Sequence, residues 1–346
     1  MNPIQLLSEE TFKQSFANGL IKLLSENSAG TFILALANSF QQPELFNANT
    51  SLIKSSYRKI HDHYQDCHNQ GKEPDDAVDD IKVMQSIFQV GLDNLSQTQL
   101  RQIDETDVSW YIDFNQLRSF RPARMSRQII DSINVDFNPD GFHFNKPFLE
   151  REVFIEEQIN NKTVSLLYNK FPFCDYHGLL VIERDKQINQ FLSEELFTYI
   201  YQTYFTLSEN IPELVFAYNS LAAGASINHL HIQTSITDKD YAIESKCWTH
   251  NGGDIKYPAN CSIELNLNTA WEKINHYQQA NIPFNLIIKR QRLYLLPRKL
   301  PNSTDNQDIN ITWYEMAGNW SFSEQQIFNS FNAEQIYQYL EGISAE

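Results

Sequence analysis

Near the middle of this chain, His229-Leu230-His231-Ile232-Gln233 sets two imidazoles and a carboxamide at two-residue intervals. Side chains of a strand alternate between its faces, so an extended segment sends His229, His231 and Gln233 one way and Leu230 and Ile232 the other. A neutral imidazole is nucleophilic near pH 7, because its ordinary pKa lies near 6.5. A carboxamide beside it can donate to an oxygen on which charge builds. The preceding run Ala222-Ala223-Gly224-Ala225-Ser226 is small enough for its backbone to come close to a partner such as a phosphate. Two other readings fit the same residues. A core strand can carry histidines that are satisfied by hydrogen bonds, and His-x-His can offer two imidazoles to a metal. No nearby Cys or acidic residue supplies an obvious further ligand, so no metal site is expected.

Several elements must hold this motif. Val164-Ser165-Leu166-Leu167-Tyr168 and Gly178-Leu179-Leu180-Val181-Ile182 are nearly continuous apolar runs, which predicts two central strands. The loop between them presents Asn169, Lys170 and His177. Ser193-Glu194-Glu195 caps a helix whose apolar face is Leu196, Phe197, Ile200, Tyr201 and Tyr204. A similar order follows later: a helical pattern from Thr269 to Gln279, then Phe284 to Ile288, a turn at Lys289-Arg290-Gln291, and Arg292 to Pro297. This second hairpin has no His-x-His-x-Gln. Residues 1–104 are mostly helical in pattern, with Ile81, Met84, Ile87 and Phe88 on one face and Ser8 as a cap. Capping-box spacing recurs at Ser323 with Gln326 and at Asn332 with Gln335.

Charge narrows the partners. With 43 acidic against 27 basic residues the net charge is −16, which repels nucleic acid and leaves few cations for a phosphorylated ligand. The arginines that do cluster are Arg118, Arg121 and Arg124, behind Trp110-Tyr111-Ile112-Asp113-Phe114; Pro122 argues for a strand entering an extended loop. Guanidinium forks bind phosphate bidentately, although a solvated basic turn gives the same pattern. The four cysteines form no Cys-x-x-Cys pair. No apolar run reaches membrane-spanning length, and Met1-Asn2-Pro3-Ile4-Gln5 does not resemble a secretory signal. A cytoplasmic setting is therefore expected.

The stretch from Tyr218-Asn219-Ser220-Leu221 to Asn228-His229-Leu230-His231-Ile232-Gln233 resembles the active-site strand of the histidine-triad superfamily, in the nucleotidyltransferase branch that ends the motif in Gln. Within that branch it is most similar to the GDP-hexose phosphorylases, and related to the uridylyltransferases and the diadenosine polyphosphate phosphorylases. The resemblance covers roughly residues 106–320. It implies an α+β fold: a histidine-triad-like antiparallel sheet with helices, duplicated as an active half and a degenerate half, plus a helical N-terminal region. The units would span residues 1–104, 105–245 and 246–346.

The resemblance also assigns roles. His231 would attack the α-phosphorus of a nucleoside diphosphate sugar and form a nucleotidyl-histidine. His229 would hold the site's geometry through its backbone carbonyl, and Gln233 would donate to a phosphate oxygen. Arg118 and Arg121 match a phosphate-contacting Arg-x-x-Arg-Pro segment, whereas Arg124 has no counterpart. Asn169, Lys170, Asn219, Gly224, Ser226, Phe144 and Lys146 would line the nucleotide and phosphate site, and His177 is left as structural. The expected partners are a nucleotide sugar or dinucleotide and inorganic phosphate, with no nucleic acid or membrane. No cofactor is required, and magnesium, if used, would neutralise substrate phosphates. A phosphate leaving group needs little protonation, so a site with Gln in place of a third His suits phosphorolysis better than hydrolysis.

Overall fold

The computed structural model describes residues 8–122, 130–301 and 311–345. Four helices come first: α1 (Glu9–Leu24), α2 (Ala29–Gln41), α3 (Pro43–Asn69) and α4 (Val78–Val90). Ser8 caps α1 through a reciprocal capping box with Thr11. Every residue of α2 is buried, the polar Thr31, Asn38, Ser39 and Gln41 included, and α1, α3 and α4 pack around it.

Strands β1 (Gln99–Glu105) and β2 (Val108–Phe114) form a hairpin. Residue 104 therefore lies inside a strand, and the helices end earlier, at Val90. The segment after Trp110 was expected to run from strand to extended loop. Its strand is β2, and a short 3₁₀ turn at Gln116–Phe120 then carries Arg118.

The large sheet takes β3 (Val153–Ile159), β4 (Lys162–Tyr168), β5 (Gly178–Ile182), β6 (Leu214–Asn219), β7 (His231–Ile236), β8 (Ser262–Glu264), β9 (Phe284–Lys289) and β10 (Arg292–Pro297). Its order is β3-β4-β5-β7-β6-β9-β10-β8, antiparallel at every junction. Helix α5 (Glu194–Ser208), capped by Ser193, precedes the β6–β7 hairpin; α6 (Leu267–Gln279), capped by Asn266, precedes β9–β10. The two helix-hairpin units thus share one connectivity and meet along β6 and β9, where Asn219 faces Asn285. The second unit holds Arg292 and Tyr294 where the first has His231 and Gln233, at the first and third strand positions. Its surface is filled by the chain itself: His250 lies 6.1 Å from Tyr294 and 5.6 Å from Tyr257, which packs on Trp248.

The C-terminus adds α7 (Trp313–Met316), β11 (Asn319–Phe322), α8 (Gln325–Ser330) and α9 (Ala333–Ile343). Strand β11 pairs in parallel with β2, making a three-stranded sheet. The capping box expected at Asn332 is formed with Gln335, whereas α8 starts after Glu324 without a side-chain cap. Among the described residues no helix is long and apolar enough to cross a membrane.

The two faces of the large sheet are covered differently, and that locates the site. Phe197, Ile200 and Tyr204 of α5 and Ile274 of α6 share one core with Leu180, Phe216, Ile232, Leu286 and Leu293. On the other face, Trp313, Tyr314, Trp110 and Trp320 cover Val215, Ala217, Ile287 and Leu296. Further along the same face, Phe144 and Leu149 cover Leu167, Leu179 and Val181. His231 and Gln233 lie opposite Val181 and Leu179 respectively, at the seam between these two covers.

Candidate active site

His231 opens β7, and its ring is fixed by its own main chain. Its Nδ1 lies 2.8 Å from the carbonyl oxygen of His229. A carbonyl only accepts, so Nδ1 carries the hydrogen and Nε2 keeps its lone pair. The side chain is buried beside Val181, its partner across the ladder to β5, with the Phe144 ring edge-on at 5.1 Å. Burial pulls its pKa down to about 4, and the hydrogen bond to His229 opposes that shift. His231 is therefore neutral at pH 7.

Gln233 is oriented from both sides. Its Oε1 accepts the indole N–H of Trp313 at 2.7 Å and lies 3.2 Å from His177 Nε2. Nδ1 of His177 accepts the Phe173 N–H at 3.3 Å, so its Nε2 carries the hydrogen that Gln233 receives. With the oxygen doubly held, the Gln233 NH2 group must turn the other way, and it has no partner among the described residues. Burial, and next the nearby Arg118 charge, lower the His177 pKa to about 3. Arg118 sits over the Phe173 ring at 5.1 Å and donates to the Phe171 carbonyl at 2.9 Å. Burial lowers its pKa to about 10, which leaves it cationic at neutral pH.

His229 is not part of the strand. The ladder begins at His231, and residues 227–229 form a bend. The expected alternation of three side chains along one strand thus holds for His231 and Gln233 only. The physical reason is that Leu230 N–H bonds the Ile188 carbonyl at 2.7 Å, outside the sheet, while the His229 carbonyl turns to the His231 ring. The His229 ring packs among Phe137, His143 and Phe144. Its Nδ1 accepts the Phe144 N–H at 3.0 Å, which puts the hydrogen on Nε2, a buried donor without a partner among the described residues. Burial, with the neighbouring His231 adding to it, brings its pKa to about 3.

The remaining candidates divide. Phe144 lies against both histidines. Asn169 sits beside His177, with its Nδ2 3.3 Å from the ring, and accepts the Phe171 N–H at 3.0 Å. Asn219 joins the two halves: its Oδ1 accepts from Asn285 at 2.6 Å and from the Trp313 N–H at 3.0 Å, while its buried Nδ2 has no partner among the described residues. Lys170 instead pairs with Asp80 of α4 at 2.5 Å, and Asn38 of α2 holds the Asn169 carbonyl. The N-terminal helices thereby clamp the loop that carries His177. Gly224, at φ +102°, makes the close approach expected of the small-residue run, and makes it to its own chain. A Cβ there would come within 3.0 Å of Thr312 Cα. Ser226 and Arg121 are exposed, and Lys146 donates to the Pro139 carbonyl at 3.3 Å. Arg124 lies outside the described residues.

Three residues next to the motif escape sequence reasoning. His177 was read as structural, yet it orients Gln233. Trp313 comes 80 residues after Gln233, and no local spacing announces it. Gln190 bonds the main chain of His231.

The lowered imidazole pKa values have a pH consequence. An unfolded imidazole takes up its proton near 6.5, whereas His231, His229 and His177 resist protonation down to about 4, 3 and 3. The unfolded chain then binds more protons as pH falls, so the stability tied to these burials is fully present above 6.5 and is lost toward pH 4. Asp113, buried and raised to about 7, acts in the opposite direction: its contribution is present at low pH and lost as pH rises through 7. In ring-resolved NMR titrations, none of the three imidazoles should titrate near 6.5; a midpoint of His231 above pH 6 would contradict a buried neutral ring.

Comparison with known proteins places this arrangement. Residues 92–235 match the model of the GDPGP1-like N-terminal domain, and residues 259–346 that of the GDPGP1-like C-terminal domain. The two matches span about two thirds of the chain, and they contain the whole motif and its covering helix. The chain belongs to the GDPGP1-like family. Among curated relatives, GDP-L-galactose phosphorylase 2 of Arabidopsis thaliana is 26% identical over 160 residues, 38% of this chain and 37% of that protein. GDP-D-glucose phosphorylase 1 of Danio rerio is 23% identical over 248 residues, 63% of this chain and 72% of that one. The match thus spans little more than a third of the plant relative's length. Yeast Ap4A phosphorylase Apa2 superposes with a TM-score of 0.50 at 15% identity, covering 76% of this chain and 93% of the yeast chain. Its complex with Ap4A gives a TM-score of 0.51 at 14% identity, over 76% and 96%. At such identities the likeness shows a shared fold, so this GDPGP1-like chain is built on a histidine-triad-like α+β scaffold.

Proposed function

We propose that this protein is a nucleotidyltransferase of the phosphorylase type, acting on a nucleoside diphosphate hexose of the GDP-hexose kind. Nε2 of His231 attacks the α-phosphorus, the bond to the bridging oxygen breaks, and hexose 1-phosphate leaves. An oxygen of inorganic phosphate then attacks the nucleotidyl-histidine, frees His231 and releases the nucleoside diphosphate. The Gln233 amide donates to an α-phosphate oxygen as charge builds there. Arg118, Arg121, Asn169 and Phe144 belong to the nucleotide side of the site in this reading, together with Asn219, Gly224, Ser226, Lys146 and Lys170. The last of these would have to leave Asp80 to reach a phosphate. The setting proposed is cytoplasmic.

One observation carries the reading: the Nδ1–H of His231 is tied to the His229 carbonyl at 2.8 Å, so the lone pair of a neutral ring stands on Nε2. The names of the plant and fish relatives supply the substrate class. The fold shared with yeast Ap4A phosphorylase favours a second substrate, a dinucleoside polyphosphate.

A panel assay separates the two. The protein, inorganic phosphate and one nucleoside diphosphate hexose or dinucleoside polyphosphate at a time are incubated, and products are identified by mass. The expected result is phosphate-dependent release of a nucleoside diphosphate and hexose 1-phosphate, fastest with a GDP-hexose. Turnover of dinucleoside polyphosphates alone selects the second reading. Nucleotide binding without any turnover makes the chain a catalytically silent nucleotide-binding regulator.

A further inference from the structure

The ladder between β6 and β7 stops just before His231. Its last pair is Ala217 with Gln233, and the same register continued would set Asn219 opposite His231. The side chain of Gln190 lies between those two residues. Its Oε1 accepts the His231 N–H at 2.9 Å, and its Nε2 donates to the Asn219 carbonyl at 2.9 Å and to the His231 carbonyl at 3.2 Å. A carboxamide has the donors and the acceptor of a peptide unit, so it can stand in for a strand partner. The main chain of Gln190 is held by the same segment: its N–H donates to Asn228 Oδ1 and its carbonyl accepts from the Tyr218 hydroxyl, both at 2.9 Å. Gln190 is fully buried, 38 to 41 residues away from Asn228 and His231 in sequence.

We propose that Gln190 is a positioning residue for His231. In a continuous ladder the strand carbonyls lie in the plane of the sheet and point at the neighbouring strand, while side chains stand out of it. A ring at His231 then has no reason to meet the carbonyl two residues back. Gln190 holds β6 and β7 apart where the motif begins. It satisfies the peptide groups that the separation would leave unpaired and lets residues 227–229 bend. The bend brings the His229 carbonyl to His231 Nδ1 and so selects the tautomer with its lone pair on Nε2. The catalytic consequence rests on His231 being the nucleophile proposed above; the structural consequence does not.

The test uses the full chain in two variants. Gln190→Leu removes all three bonds. Gln190→Glu keeps the shape and still accepts from the His231 N–H, but its carboxylate cannot donate to the two carbonyls. Nitrogen NMR of the His231 ring at pH 7 reports the tautomer directly. The expected result is a single Nδ1–H form in the parent and a mixture in both variants. The rate of adduct formation should fall about 10- to 100-fold, as displacement of a reacting group does, with KM changed by less than about threefold. For Gln190→Glu the rate should recover as pH falls and the carboxyl gains a donor O–H. A cooperatively folded variant that keeps the Nδ1–H tautomer and the parental rate overturns the proposal; if Gln190→Leu does not fold, Gln190→Glu decides alone. The two possible failures look different. If His231 is not the nucleophile, the tautomer still shifts in the variants while neither they nor the parent form an adduct. If Gln190 does not position it, the adduct forms normally and the tautomer stays put.

Discussion

Replacing His231 by Asn should abolish turnover and the covalent nucleotidyl adduct together, with kcat lowered by at least about a thousandfold, as removal of a nucleophile does elsewhere. The variant is chosen for what it preserves. An Asn amide N–H can still donate toward the His229 carbonyl that now receives Nδ1–H at 2.8 Å. It also removes a buried ring without leaving a charge, so the seam between Phe144 and Trp313 should close around it. What it lacks is a basic nitrogen lone pair on the Nε2 side. The measurement is mass detection of the protein after mixing with nucleoside diphosphate hexose in the absence of phosphate. The parent should gain the mass of one nucleoside monophosphate group and lose it when phosphate is added. An adduct of unchanged yield in His231→Asn would overturn the assignment. Loss of the adduct in a folded His231→Asn protein would also reject the view of His231 as a satisfied core histidine, since a core residue exchanged for Asn alters stability without abolishing one chemical step.

Much of this site is legible along the sequence, because its signals are local. Period-two patterning and apolar runs announce β4, β5, β7, β9 and β10, and the caps at Ser8, Ser193 and Asn332 follow from residue type and spacing. His231 and Gln233 sit on a strand as the pattern requires. The duplication of a helix and hairpin can be read from order alone. The unread part consists of contacts across long separations. Trp313 reaches Gln233 over 80 residues, Asn285 reaches Asn219 over 66, and Gln190 enters the sheet from a loop. Nothing in the spacing of these residues distinguishes them from ordinary core or loop positions. Lys170 shows the opposite hazard: a cation in a promising loop finds an acid, Asp80, supplied by a helix 90 residues earlier. Gly224 illustrates a third case, where small residues correctly predict a close approach but not its partner. His229 departs from the strand because alternation is a property of paired backbone, and the pairing of β7 with β5 ends at His231, two residues after His229.

Gln233→Glu is expected to lower kcat/KM by about a hundred- to a thousandfold at pH 7.5, the scale of losing one donor to developing charge. The two side chains have the same shape, and a carboxylate can still accept from Trp313 Nε1–H and from His177 Nε2–H, now at 2.7 and 3.2 Å. The fold should therefore survive. The loss is on the other side of the group, where NH2 becomes an oxygen that repels the phosphate instead of donating to it. Burial between Leu179 and Ala217 favours the neutral acid. Part of the lost rate should accordingly return as pH is lowered toward 6, an upturn that the parent lacks. Trp313→Phe makes the complementary change. It leaves the carboxamide intact but removes one of the two donors that orient it, and a single hydrogen bond of this kind is worth about 1 kcal/mol, or roughly a fivefold to tenfold loss. If the direction of the amide is what matters, that loss falls on kcat, since the donor acts most strongly where charge develops in the transition state. Steady-state rates for both variants between pH 5.5 and 8.5, at saturating phosphate, give the comparison. A Gln233→Glu enzyme within about twofold of the parent would mean that the NH2 group does not face the phosphate, and the preference for phosphorolysis would then need another source.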